Sequence, residues 1–169
     1  MFVQTEVTLN METTRLSEYT ARITQANRSQ LVVVMYDVIL DSMREGLELF
    51  DNGDKEGFTE KIRYGQKFLL ELMNTLDFKY DISKELLRLY IFVNKQMINS
   101  CIRLDATLID GAIDVMEKLK KGFEGVAAED NSEPVMQNVQ PIYAGLTYGK
   151  GTLNEISYGT DVSSRGFKA

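Results

Sequence analysis

Apolar residues recur along this chain every three or four positions, the spacing that places them on one face of a helix. Four such stretches follow one another. The core-facing positions expected in the first two are Val32, Met35, Tyr36, Ile39, Met43, Leu47 and Phe50, then Phe58, Ile62, Leu69, Leu72 and Leu76. Those expected in the last two are Leu86, Tyr90, Val93, Met97, Cys101 and Leu104, then Ile109, Ala112, Met116, Leu119 and Phe123. These runs lack the alternation that strands require, so the sequence predicts an all-α protein.

Polar residues and glycine mark the ends of the predicted helices. Asn27 can cap free backbone amides, and Gln30 three residues later completes a capping box. Gly53 can adopt the left-handed conformation that ends the first helix, and Asp54 can cap the second. Because the connections are short, neighbouring helices should run antiparallel, and we expect an up-down-up-down four-helix bundle over residues 27–125.

The remaining boundaries rest on similar signals. The stretch from Ser83 to Glu85 should open the third helix, and Asp105 should end it and cap the fourth. Residues 1–26 are predicted to form an N-terminal arm with scattered apolar anchors. After Gly125 the composition changes, and residues 126–169 are predicted to be a linker followed by an irregular, apolar C-terminal tail that contains both prolines.

The third predicted helix carries a second row of apolar side chains beside its core-facing positions. We call Leu87, Ile91, Ile98 and Ile102 the apolar row. Two interpretations are open at this point. The row is either a wider core contact, for example with a third neighbouring helix, or a groove for a helix of another protein.

Composition limits the classes of function. The 169 residues carry 19 basic and 25 acidic side chains, a net charge of −6, without a dense basic run. We therefore expect neither a nucleic-acid partner nor an anionic membrane surface. The chain lacks an apolar stretch of the roughly 20 residues that a membrane span requires. Met1 to Thr14 also lacks the pattern of a secretory signal, so a cytoplasmic location is predicted.

The inventory of catalytic side chains is small. The chain contains no histidine, the commonest general base and metal ligand. Its single cysteine, Cys101, excludes an intramolecular disulfide and falls on a core-facing position. Gly145, Gly149 and Gly151 do not match the spacing of a phosphate-binding loop. We expect no enzymatic activity, no cofactor and no metal site.

Several short motifs follow one another from Tyr19 to Phe123. They are Tyr19 itself, Gln25-Ala26-Asn27-Arg28-Ser29-Gln30-Leu31, Met35-Tyr36-Asp37, Asn52-Gly53-Asp54, Glu71-Leu72 with Leu76-Asp77, and Leu89-Tyr90. In this order and approximate spacing they resemble the FliS family of flagellar export chaperones. Arg28 departs from that family's usual proline, and Gly122-Phe123 stand where the family commonly has Ala-Trp.

The resemblance implies a bacterial chaperone that binds the disordered C-terminal segment of flagellin in an apolar groove. This would prevent premature polymerisation and assist flagellar type III export, with export-gate components and a FliW-like assembly factor as further candidate partners. The expected partner-binding residues are Leu87, Ile91, Ile98, Ile102, Tyr64, Phe68, Leu108, Val115, Tyr19 and Tyr36. For both Tyr19 and Tyr36, a structural role is an equal alternative.

Two further hypotheses concern self-contacts. Ile142, Tyr143, Leu146 or Tyr148 of the tail would occupy part of the groove, in this or a neighbouring molecule, until flagellin displaces them. Alternatively, the tail simply covers another hydrophobic face. The alternative function is a constitutive helical dimer or larger homo-oligomer, in which the apolar row is a permanent self-association seam and no client exists.

Overall fold

The computed structural model describes residues 14–15 and 17–136, and every regular element among them is a helix. Helix α1 covers residues 17–25, and residues 14 and 15 are helical as well. The longer helices are α2 (Arg28–Asp51), α3 (Lys55–Asn74), α4 (Asp81–Arg103) and α5 (Thr107–Glu129). The tail positions Ile142, Tyr143, Leu146 and Tyr148 lie outside the described residues.

The four long helices pack around one core. Helix α2 contacts α3 and α5, and α4 also contacts α3 and α5, so each helix has two neighbours in a ring. The largest fully buried side chains come from all four helices: Tyr36, Tyr90, Phe58, Ile39, Leu40, Met43, Ile62, Leu69, Met97, Ile109, Met116 and Val93. The predictions of an all-α fold and a helical bundle are confirmed. None of the described helices has both the length and the apolar composition of a membrane span.

The predicted caps of α2 and α3 are present. The Asn27 side chain accepts a hydrogen bond from the Gln30 amide at 2.9 Å, and the Gln30 side chain accepts one from the Asn27 amide at 3.0 Å. Gly53 has a φ of 83°, in the left-handed region that favours glycine. The Asp54 carboxylate accepts a hydrogen bond from the Gly57 amide at 2.8 Å. These contacts fix where one helix ends and the next begins.

Helix α4 differs at both ends from the prediction. It begins at Asp81, so Ser83 lies inside its first turn, where the hydroxyl donates to the Asp77 carbonyl at 2.6 Å. At the other end, Leu104 adopts a left-handed φ of 50° and is exposed. The core position predicted for Leu104 is wrong because the chain leaves the helical path there. The Asp105 carboxylate does accept a hydrogen bond from the Thr107 amide, at 3.1 Å, at the start of α5.

Helix α5 continues to Glu129, so the first residues of the predicted linker are helical. The end of α5 is bonded to the start of α2. The Asn27 side-chain amide donates to the Asp130 carbonyl at 2.8 Å, and the Ser29 hydroxyl donates to the Asp130 carboxylate at 2.5 Å. Hydrogen bonds from Ser29 and Ser132 lower the pKa of Asp130 to about 2. The carboxylate is therefore charged at neutral pH and stays an acceptor.

Two buried tyrosines join opposite helices of the ring. The hydroxyl oxygens of Tyr36 on α2 and Tyr90 on α4 lie 2.5 Å apart, and both side chains are buried. Burial raises the pKa of both hydroxyls, so both are neutral and one can donate to the other. The Tyr36 ring also packs against Phe123, with ring centroids 5.4 Å apart. The hydroxyl pair therefore joins two helices that are not neighbours in the ring.

Replacing one of these tyrosines with phenylalanine should destabilise the bundle more than replacing both. Tyr36→Phe leaves the Tyr90 hydroxyl buried without its partner, which costs about 1 to 3 kcal/mol. The double variant Tyr36→Phe plus Tyr90→Phe should recover part of that loss, because no unpaired hydroxyl remains. Urea unfolding of the single variants and the double variant measures this coupling. Losses that simply add in the double variant would contradict the pairing.

Candidate binding surface

The apolar row lies on α4 and is largely exposed. Ile91, Ile98 and Ile102 have relative solvent exposures of 49%, 41% and 75%, whereas Leu87 is half-buried. Side chains in a wider core contact would be covered by a neighbouring helix. The exposure of this row therefore favours a binding surface over a core contact.

The row follows the flank of α4 that adjoins α3. The Gln66 side chain of α3 donates a hydrogen bond to the Asn94 side chain of α4 at 2.6 Å, which marks the junction of the two helices. Asn94 comes three residues after Ile91 and four before Ile98, so the three share one flank of α4. Leu70 comes four residues after Gln66 on α3 and is also exposed. The row and Leu70 thus border one surface between α3 and α4.

Tyr64 and Phe68 lie on a different side of α3. Each is two residues from Gln66, and two residues turn a helix by about 200°. Their rings contact each other edge to face, with centroids 5.2 Å apart. Tyr64 also lines a cavity of about 240 Å³ together with Tyr19 and Lys61, among residues of α2. The structure therefore does not bring Tyr64 and Phe68 together with the apolar row.

Leu108 and Val115 are half-buried on the flank of α5 that faces away from α2. The α2-facing flank is marked by Glu117, which binds Arg44 at 2.6 Å. Val115 is two residues before Glu117 and therefore points to the opposite flank. This flank of α5 adjoins α4, because α5 lies between α2 and α4 in the ring, and it meets α4 on the side away from α3. These two residues consequently lie across α4 from the apolar row.

Two further exposed apolar residues, one on α4 and one on α3, were not predicted from the sequence to be part of a binding surface. Phe92 is two residues before Asn94 and lies on the far side of α4 from α3, with a relative exposure of 42%. Leu70 on α3 is equally exposed. In the sequence, both residues are apolar but lie between the core-facing positions of their helices, which is what marks them as candidates for exposure. Apolar side chains are thus exposed on more than one flank of α4.

Tyr19 and Tyr36 both have partners within the chain. The Tyr19 hydroxyl donates to the Asp41 carboxylate at 2.5 Å, and burial together with this bond raises the pKa of Tyr19. Tyr36 is fully buried and bonded to Tyr90. These contacts support the structural role for both tyrosines in this conformation.

Helix α1 and the residues just before it are anchored to Asp37, Asp41 and Glu45 of α2, which are spaced four residues apart. Asp37 binds Arg22 of α1 at 2.6 Å, and Glu45 binds Arg15 just before it. Two of these carboxylates also bind other helices, since Lys120 of α5 contacts Asp37 at 2.6 Å and Lys61 of α3 contacts Glu45 at 2.7 Å. The hydrogen bond to Asp37 raises the pKa of Lys120, which stays charged. This contact was not predicted from the sequence, although the four-residue spacing of Asp37, Asp41 and Glu45 places the three carboxylates on one side of α2.

The described residues offer little for covalent or metal chemistry. Within residues 14–15 and 17–136, no three side chains of the metal-binding kinds are grouped so as to hold an ion. Burial raises the pKa of the Cys101 thiol, which keeps it protonated and weakly reactive. The prominent feature of this part of the chain is therefore exposed apolar surface.

A comparison with protein families gives a match over most of the chain. The family model described as "Flagellar protein FliS" matches residues 11–130, a range that includes all the described helices. The chain belongs to the FliS family. No curated protein matches it. Membership in FliS implies the role of a flagellar export chaperone with flagellin as its general partner. The family recognised from the sequence motifs is thus confirmed.

Proposed function

We propose that this FliS protein holds the disordered C-terminal segment of flagellin on the surface between α3 and α4. Bound there as a helix, the segment could not polymerise in the bacterial cytoplasm before delivery to the flagellar type III export apparatus. The observation that carries the proposal is the exposed apolar row on α4 of a protein from a flagellar chaperone family. An amphipathic helix recognises such a surface through side chains three and four residues apart.

The energy available from the row sets the size of the contact. Full burial of its Leu and Ile side chains would yield roughly 6 to 12 kcal/mol, at about 1.5 to 3 kcal/mol each. Because these side chains are already about half covered, the gain on binding is roughly half of that. Ordering a disordered segment costs about 2 to 5 kcal/mol or more. The client must therefore cover additional apolar side chains, and the exposed Leu70 borders the same surface.

We also propose that the bundle follows the up-down-up-down order. Between α2 and α5, Asp37 binds Lys120 and Arg44 binds Glu117, so the numbers rise on one helix as they fall on the other. The neighbours across α2 and α3 run the same way: Gly46 with Ile62, and Ser42 with Gly65. Across α3 and α4, Arg63 acts electrostatically on Cys101 while the later Gln66 binds the earlier Asn94. Residue numbers that rise along one helix while those of its contact partners fall support antiparallel packing of the two helices.

Introducing charge into the apolar row should abolish client binding without unfolding the bundle. Ile91→Glu plus Ile98→Glu places two carboxylates where the client's apolar face would lie, and desolvating them costs several kcal/mol. Calorimetric titration with the C-terminal segment of flagellin from the same organism measures the effect. The wild type should show saturable binding with a negative heat-capacity change.

A matched control adds the same charge on a helix away from the row. Gly122→Glu plus Gly125→Glu places two carboxylates at exposed positions of α5, where an added side chain meets no neighbouring atom, and should bind as the wild type does. Circular dichroism and thermal melting check that both variants keep the fold. Equal binding by the Ile91/Ile98 variant would exclude the row as the client surface. A dilution-resistant wild-type dimer that this variant converts to a monomer would instead support the permanent self-association seam.

We propose further that Ile142, Tyr143, Leu146 or Tyr148 of the tail competes with flagellin for this surface. The Val135 amide donates to the Ala26 carbonyl at 3.0 Å, so the chain preceding the tail is bonded beside the start of α2. A chain ending after Met136 keeps that bond and removes the competitor. It should bind the flagellin segment more tightly in the same calorimetric titration. Unchanged or weaker affinity would mean that the tail covers another face.

A further inference from the structure

Basic side chains border the apolar row on both sides. On α4, Lys95 comes four residues after Ile91 and three before Ile98, which places it along the row. Arg88 comes three residues before Ile91. On α3, Arg63 comes three residues before Gln66, whose side chain binds Asn94 at the junction with α4. The surface between the two helices is thus edged with cations, although the whole chain carries a net charge of −6.

Few of these cations are neutralised by the chain itself. Arg88 is paired with Glu85 at 2.8 Å, in an exposed contact one turn apart. Lys67 comes four residues after Arg63 on α3 and is exposed. Among the residues that the structure describes, Arg63, Lys67 and Lys95 make no ion pair.

Acidic residues occur only at the edges of this surface. Helix α4 contains no acidic residue after Glu85, and on the neighbouring stretch of α3 the acidic residues are Glu60 and Glu71 at its ends. The unpaired cations therefore lie beside the central part of the apolar row.

We propose that this surface selects an amphipathic client helix whose apolar stripe is edged with Asp or Glu on both sides. The inference rests on the proposed function, since it specifies the chemistry of the client segment. A helix lying on the row places its edges beside the α4 cations on one side and the α3 cations on the other. Charges at the rim of such a contact set the choice of partner and the rate of association.

A phosphate-rich partner fits this surface less well. Nucleic acid and anionic lipid surfaces need clustered cations, whereas here the cations stand on either side of exposed isoleucines. The remainder of the net-acidic chain would also repel them. An amphipathic helix is the occupant that satisfies the apolar centre and the basic edges together.

The test uses the full chain and two designed amphipathic 18-residue peptides as probes, together with the C-terminal flagellin segment. The peptides share one leucine stripe and differ only in carrying Glu or Lys at its edges. Wild type should bind the Glu-edged peptide about tenfold more tightly, since each rim pair contributes roughly 1.5- to 5-fold. The preference should shrink between 50 and 500 mM salt, concentrations chosen because screening increases over that range.

Charge reversal locates the preference on the molecule. Arg63→Glu plus Lys95→Glu should lose it or invert it toward the Lys-edged peptide. Lys118→Glu plus Lys121→Glu makes the same change in net charge on exposed positions of α5 and should leave it intact. Circular dichroism controls for folding. Equal binding of both peptides, or an equal effect of the α5 control, would overturn the proposal.

The outcomes of the experiment test the charge selection and the proposed function independently. Flagellin binding that is insensitive to the Arg63/Lys95 reversal, with no peptide preference, would refute the charge selection and leave the chaperone surface standing. A clear preference for the Glu-edged peptide without any flagellin binding would refute the client and keep the charge selection. Tighter binding to phosphatidylglycerol vesicles than to the Glu-edged peptide would refute selection of a protein helix.

Discussion

The ring arrangement of the four long helices limits how much apolar surface each can bury. Each helix contacts two neighbours, so it can direct one broad face into the shared core. On α4 that face is filled by buried residues such as Tyr90, Val93 and Met97. The isoleucines beside them have no place in the core and remain exposed. Under the proposed function, this exposed surface would provide the apolar contact for a client helix.

Local features of the fold were predictable from the sequence because they depend on neighbouring residues. The Asn27 capping box and the left-handed Gly53 follow from residue type and spacing alone. Core-facing positions such as Tyr36 and Met97 were predictable because the period of the helix determines which side chains share a face. The core position predicted for Leu104 was wrong because hydrophobic periodicity does not reveal where the backbone leaves the helix.

The candidate surface was predictable only in part. The apolar row could be grouped from the sequence, since residues three and four apart share a flank wherever the helix packs. The helix that adjoins this flank depends on the order of the helices around the ring. The apolar pattern of one helix does not contain that information. The sequence therefore predicted that the row is bordered by Tyr64 and Phe68 of α3 and by Leu108 and Val115 of α5. In the structure the first two lie on a different side of α3, and the last two lie across α4 from the row. The Gln66–Asn94 hydrogen bond supplies the missing orientation.

Site-specific photocrosslinking tests the central claim, that the client lies between α3 and α4, most directly. A benzophenone side chain would be introduced at Ile98 in one variant and at Tyr64 in another, two exposed positions on different sides of the bundle. Irradiation with the C-terminal flagellin segment should crosslink the Ile98 variant and leave the Tyr64 variant free. Crosslinking at position 64 without crosslinking at position 98 would contradict the account and place the client beside α1 and α2.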